Sequence, residues 1–266
     1  MISTAVASLV ASIASTLTLG AGPAPTPPPV DAGFDYQLGG AYPLPHGVTV
    51  VTRDRTAQPA AGAYNICYVN GYQTQPGQLR WWKRTHSGLL LRDQGQLVHD
   101  PGWPGEVLLN TSTAAKRHAI AGVIGRWFAG CANDGFDAVE PDNLDSYTRS
   151  RHLLDRADAL ALATLLASRA HREGLAIAQK NLAGLTRERR VAVGFDFAVS
   201  EECSVWHECG AYRHAYGRHV IEIEYTDNGR AAFRRSCRDH GDAWSVVLRD
   251  RMLRTPASPR YAFQMC

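Results

Sequence analysis

The sequence predicts an α/β fold, a single (β/α)8 TIM-type barrel over residues 33–266. Three observations predict it. Eight short apolar stretches alternate with stretches of helical spacing, the pattern of strands feeding crossover helices. Acids and amides gather at the carboxyl ends of those stretches, where a barrel places its loops. A doubly wound open sheet would be the rival, but no glycine-rich phosphate loop such as GxGxxG or GxxxxGK[ST] is present.

Taken in order, Val48 to Thr52 (VTVVT) is the first expected strand and Tyr64 to Val69 (YNICYV) the second. Pro76 to His86 has proline near a helix start, with Gly88 beyond its end. Glu106 to Leu109 (EVLL) is the expected third strand. Thr111 or Ser112 then caps a helix whose apolar positions Ile120, Val123, Ile124, Trp127, Phe128 and Cys131 recur at 3, 4 and 7 spacing. The fourth strand is Phe136 to Val139. Pro141 lacks a donor for a sheet ladder and should end it. From Leu153 to Glu173 a helix is expected to bury Leu154, Ala157, Ala161, Leu165 and Ala170, with Gly174 as its stop. Leu175 to Ala178, Val191 to Val199, His219 to Tyr225 and Ala243 to Leu248 complete the eight, with a helix near Phe233 to Arg238.

Residues 1–22 read as a secretory signal: 2–19 carry no charge and are rich in Ala, Ser, Leu and Val, with small residues following. The many Ser and Thr weaken the alternative of a spanning anchor. Residues 23–32 form a proline-rich linker that builds no core. Six cysteines suit an exported, disulfide-bonded chain. Cys203 and Cys209 bracket a short loop, Cys237 and Cys266 are placed to tie the C-terminal tail to the body, and Cys67 and Cys131 remain; spacing alone does not fix the connectivity. A zinc site at Cys203, His207 and Cys209 lacks a second ligand cluster, so no metal is expected. The formal net charge of +3 and the absence of a basic run argue against nucleic acid as a partner. No cofactor is expected, and the mature chain is expected to be a secreted, extracellular monomer.

The chemistry centres on Gly135 to Tyr147, GFDAVEPDNLDSY. Glu140, Asp142 and Asp145 crowd together with Asn143 at a strand end, an arrangement that costs stability unless a site uses it. The barrel mouth should also collect Asp54, Asn70, Lys180, Asn181, Glu201, Glu202 and Glu224, with Tyr36, Tyr42, Tyr72, Tyr147, Trp206 and Tyr225. Carboxylates with flanking aromatic faces suit a sugar, and glycoside cleavage needs two carboxyl groups across the scissile bond. One acid from strand four and one from strand six would supply them. Asp137 is either a buried structural carboxylate or a functional one. Lys180 is placed to pair with Asp142 or Glu201, and of Glu222 and Glu224 one is expected to face the mouth. No GxSxG elbow offers a serine nucleophile.

Several segments in order resemble glycoside hydrolase family 114, the endo-alpha-1,4-polygalactosaminidases. These are Phe34 to Gly40, Cys67 to Gly71, Trp103-Pro104-Gly105-Glu106, GFDAVEPDNLDSY, Ala170 to Leu175 with Gln179-Lys180-Asn181, Phe195 to Cys203 with Glu208-Cys209, and Ile223-Glu224-Tyr225. The resemblance implies a secreted barrel hydrolysing alpha-1,4-linked galactosamine polymers. It makes Asp142 and Glu201 the catalytic acids, with Glu140 the substitute for Asp142. Asp137, Asn143, Asp145, Tyr147, Lys180, Asn181, Glu202, Glu224 and Tyr225 would then hold substrate or orient the acids. The first expected strand departs from the family's aspartate-rich run, carrying Arg53-Asp54-Arg55. The alternatives are a glycosidase of different specificity and a non-catalytic carbohydrate-binding barrel.

Overall fold

A computed structural model describes Met1 and residues 25–266. The expected signal therefore falls outside the described residues, apart from Met1. Of the expected linker, 25–29 carry no regular structure, yet Pro28 is buried and the Thr26 carbonyl accepts a 2.6 Å bond from the Tyr64 hydroxyl.

Eight parallel strands form the sheet, in sequence order: β1 Gly33–Gln37, β2 Val48–Asp54, β3 Tyr64–Asn70, β4 Ala138–Asp142, β5 Ala176–Lys180, β6 Phe197–Glu201, β7 Val220–Tyr225 and β8 Ser245–Arg249. A ninth, β9 Phe263–Met265, runs antiparallel along β8. β1 lies against β8, so the sheet curls into a nearly closed barrel. At that seam the fully buried Arg249 guanidinium pairs with Asp35 and donates to the carbonyls of Tyr36, Ala262 and Arg254. Its charge and donors replace the ladder that the two strands do not make.

Helices cover the outside: α1 Leu79–Thr85, α2 Ala114–Asp134, α3 Arg156–Arg172, α4 Arg187–Val193, the single turn α5 Cys203–Trp206, α6 Cys209–Tyr216 and α7 Ala231–His240. Side chains of Thr113, Asp155 and Thr186 cap α2, α3 and α4 by accepting amides three residues on. Two disulfides lie within this shell, Cys67–Cys131 tying β3 to α2 and Cys203–Cys209 joining α5 to α6. The third, Cys237–Cys266, fastens the tail to α7.

Several expectations need correction. The first strand is Gly33–Gln37, whose polar residues hid it. Glu106 to Leu109 is not a barrel strand; its residues make isolated antiparallel bridges to Gln73, Leu90 and His99 in the insertion between β3 and α2. Val191 to Val193 end α4, closed by Gly194 at φ 94°, so β6 begins only at Phe197. The cap of α2 is Thr113 rather than Thr111 or Ser112. α3 buries Ala159, Leu162, Ala163, Leu166, Ala167 and Ala170, a face rotated from the expected one. β4 continues through Pro141: its ladder with β5 stops at Val139, but that with β3 runs on to Asn70 beside Asp142. The missing proline donor thus ends pairing on one side only.

Candidate active site

Inward-facing side chains alternate along each strand, apolar low in the barrel and polar at its mouth. β4 presents Ala138, Glu140 and Asp142; β5 Ala176, Ala178 and Lys180; β6 Phe197, Val199 and Glu201; β7 Ile221, Ile223 and Tyr225. The polar ends meet at one ammonium. Lys180 Nζ lies 3.1 Å from Glu140 Oε1, 3.2 Å from Asp142 Oδ1 and 3.3 Å from Glu201 Oε2, and donates to the Tyr36 hydroxyl at 3.0 Å. Lys180 and Glu140 are buried beneath the mouth, whereas the Asp142 and Glu201 side chains keep 18% and 24% exposure. Asp142 and Glu201 therefore line the cleft, and Lys180 holds them from below.

Each of these carboxylates is oriented by further donors. Asp142 Oδ2 accepts from the Tyr68 hydroxyl (2.7 Å) and Oδ1 from the Asn143 amide (2.7 Å). The Gly71 amide bonds the Asp142 carbonyl, and a Cβ on Gly71 would stand 3.0 Å from Pro141 Cβ, so the chain leaves β3 hard against β4. Glu201 Oε1 accepts from the Tyr225 hydroxyl and Oε2 from Asn181 Nδ2 at 2.9 Å, while Asn181 Oδ1 takes the Glu201 amide at 2.9 Å. Asn143 and Asn181 sit at φ 67° and 53°, left-handed positions that asparagine tolerates, so each turn aims an amide back at the acid beside it. Glu140 accepts from Tyr36 (2.7 Å) and Thr52 (3.3 Å).

The protonation states diverge. Burial would raise the Asp142 carboxyl, but the Lys180 ammonium, the Tyr68 hydroxyl and the Asn143 amide outweigh it and hold the group below its ordinary range. Burial pushes Glu140 up to about 7, against the opposing pull of Lys180. Burial would also lower Lys180, yet Asp142, Glu201 and Glu140 together raise it well above its usual value, so it stays charged. A cluster of three acids around one cation thus keeps Asp142 ionised.

The cleft above them encloses about 580 Å³. Of the sequence-selected groups it takes Asp142, Glu201, Asn143, Asp145, Lys180, Asn181 and Tyr225, with Asp54 and Tyr36. Others lie elsewhere. Asp137 is exposed at the opposite end of β4, where it accepts the Asn65 amide at 2.7 Å; it precedes the strand rather than ending it. Glu222 and Glu224 are two apart on β7, and the period of two turns both outward under α5 and α7, where Glu224 accepts the Ser204 amide. Neither faces the mouth, since that place belongs to Tyr225. Glu202 turns away at φ 61° and pairs with Arg251 and Asn228. Tyr147 is partly buried against the core rather than on the cleft, Tyr72 is buried with its hydroxyl on the Ala159 carbonyl, and Trp206 stands exposed outside.

The cleft also holds Tyr68, Asp100, Trp103, Glu106, Arg149 and Arg251, none of them expected there from the sequence, although Tyr68, Trp103 and Glu106 fall within segments that carry the family resemblance. Strand register carries the signal for Tyr68, which pairs beside Glu140 on β3. Asp100, Trp103 and Glu106 come from the insertion whose EVLL run had been assigned to the barrel. Cys203, Cys209 and Glu222 cluster as metal donors do, but both sulfurs are spent in a disulfide.

A barrel whose mouth carries one firmly ionised carboxylate and a second acid across a shared lysine has the equipment of a glycoside hydrolase. The chain belongs to glycoside-hydrolase family GH114, whose model matches residues 15–266. Among solved structures, Ega3 of Aspergillus fumigatus, in complex with galactosamine, is similar with a TM-score of 0.71 and 22% identity, covering 93% of this chain and 100% of that one. The glycoside hydrolase domain of PelA from Pseudomonas aeruginosa is similar with a TM-score of 0.57 and 12% identity, covering 84% and 96%. No curated protein matches the chain.

Proposed function

We propose that the protein hydrolyses internal alpha-1,4 linkages of a galactosamine-containing polysaccharide by double displacement, with Asp142 as nucleophile and Glu201 as acid and then base. In the first step an Asp142 oxygen bonds to the anomeric carbon as the glycosidic bond breaks, and the leaving oxygen takes the Glu201 proton. In the second, water gives a proton to Glu201, bonds to the same carbon and frees Asp142. Asp142 suits attack because its environment holds it ionised. Glu201, the more exposed of the two, is left to exchange the proton.

The observation that carries this reading is the shared lysine. An oxygen of each acid lies within 3.3 Å of one Nζ, so the two oxygens stand less than twice that length apart. That favours the close pair of a retaining enzyme over the wider gap that admits a water. The galactosamine bound by Ega3 supports the sugar, and the cleft's acids complement a polymer of amines. Three disulfides support an oxidising compartment, hence secretion, and among the described residues no helix is long and apolar enough to cross a membrane.

The test is release of reducing ends from polygalactosamine by the purified protein. Asp142→Asn and Glu201→Gln should each lose nearly all of it while keeping the parental circular dichroism. Parental turnover by either variant would remove its assigned role.

A further inference from the structure

Resting on the amino-sugar reading above, we infer that Glu106 determines specificity by receiving the ammonium of a galactosamine unit beside the scissile bond. The charges of the cleft are unevenly paired. Asp142 and Glu201 share Lys180, and Asp100 and Asp145 share Arg149 at 2.6 and 3.0 Å. Asp54 is satisfied by Thr56 and Gln75. Glu106 lines the same cleft at 7% exposure, and among the described residues it has no ion pair. Its Oε2 accepts one bond, from Asn70 Nδ2 at 2.8 Å, which leaves Oε1 for a ligand. A carboxylate this deeply buried with no cation is costly, and an arriving cation removes the cost.

Glu106 is also held rigidly. Its amide donates to the Trp103 carbonyl (2.8 Å) and its carbonyl accepts the Asp100 amide (3.0 Å). Asn70 is fixed in turn, its Oδ1 accepting from the Gln73 amide (3.0 Å) and Asn143 Nδ2 (3.1 Å). Through Asn70 and Asn143 the side chain is tied to the turn that aims Asp142, so its ligand belongs next to the reacting carbon.

The charged groups facing Glu106 are Asp142 on β4, Asp100 on its own loop and Arg149 beyond β4. Burial raises its carboxyl to about 7, with Asp142 and Asp100 adding to the rise and Asn70 and Arg149 opposing it. Without ligand Glu106 is therefore partly protonated at neutral pH, and an ammonium draws it into the ionised form. An N-acetylated unit brings no charge and has no such effect.

The experiment compares fully deacetylated and fully N-acetylated galactosamine oligomers as substrates. For the parent, KM on the deacetylated oligomer should rise as pH falls through about 7, with no matching rise on the acetylated one. Glu106→Gln should raise KM on the deacetylated oligomer by about tenfold or more at neutral pH, with the loss in KM rather than kcat, and flatten the pH profile. The inference is overturned if Glu106→Gln slows both oligomers by one factor, if the loss falls on kcat alone, or if the parental KM shows no dependence on pH. Under those outcomes the cleavage reading stands. A folded parent that cleaves neither oligomer overturns both.

Discussion

Replacing Lys180 by methionine removes the cation shared by three carboxyl groups at nearly constant side-chain length. Nζ lies 3.2 Å from Asp142, and at the effective dielectric that suits protein ion pairs this attraction alone is roughly 5 kcal/mol. Breaking a buried pair by deleting one partner costs about 3–5 kcal/mol, because the remaining charge stays uncompensated. Spread over a domain of this size, that loss corresponds to a fall in Tm of roughly 6–20 °C. The pH dependence follows from the direction of the Asp142 shift. A carboxyl held below its ordinary range contributes stability that is present above the unfolded-state pKa and is lost as pH falls through the folded one. Without Lys180 the carboxyl protonates at higher pH. The acid limb of kcat/KM should therefore move upward in pH, and kcat/KM at neutral pH should fall. Thermal melts and pH–rate profiles on polygalactosamine read both effects. A variant melting within about 2 °C of the parent, with its acid limb in place, would refute the role given to Lys180.

Three further outcomes are expected. Glu222→Gln removes a buried carboxyl that burial and the adjacent Glu224 push up to about 8. The folded parent holds that proton where the unfolded chain releases it, so parental stability should fall as pH rises from the ordinary carboxylate range to about 8; denaturant melts of the variant should show a shallower fall. Replacing Cys67 and Cys131 together by alanine opens a buried link spanning 64 residues and should cost about 2–5 kcal/mol in chemical denaturation; an unchanged midpoint would deny that the bond forms. Tyr225→Phe leaves Glu201 without its hydroxyl donor and should lower kcat on polygalactosamine by about tenfold at parental Tm, whereas an unchanged kcat would remove Tyr225 from the positioning of the acid.

The mouth of the barrel is legible in the sequence because its physics is local. Alternation brings Asp142, Lys180, Glu201 and Tyr225 to the mouth, each as the last inward residue of its strand. The same rule, applied to β7, excludes Glu222 and Glu224 together; the two share a face, and reading them as alternating was the error. What stayed hidden depends on distant partners. Asp35, Tyr36 and Gln37 look too polar for a buried strand until Arg249, more than two hundred positions away, answers Asp35. The EVLL run is apolar enough for a barrel strand, and only its antiparallel bridges show that it belongs to an insertion. That insertion carries Glu106 and Trp103 to the cleft, so these two stay hidden from strand-end alternation, which does bring out Lys180 and Tyr225. VAVGFDFAV is one apolar stretch in the sequence, divided in the fold by the left-handed Gly194.

The claim that most depends on the geometry is that Asp142 bonds to the sugar. Incubating the protein with an activated fluorosugar that slows breakdown of a glycosyl-enzyme, followed by peptide mass mapping, tests it directly. The account predicts one sugar adduct, on the peptide containing Asp142 and absent from Asp142→Asn. Turnover that leaves no adduct, or an adduct on any other acid, would contradict it.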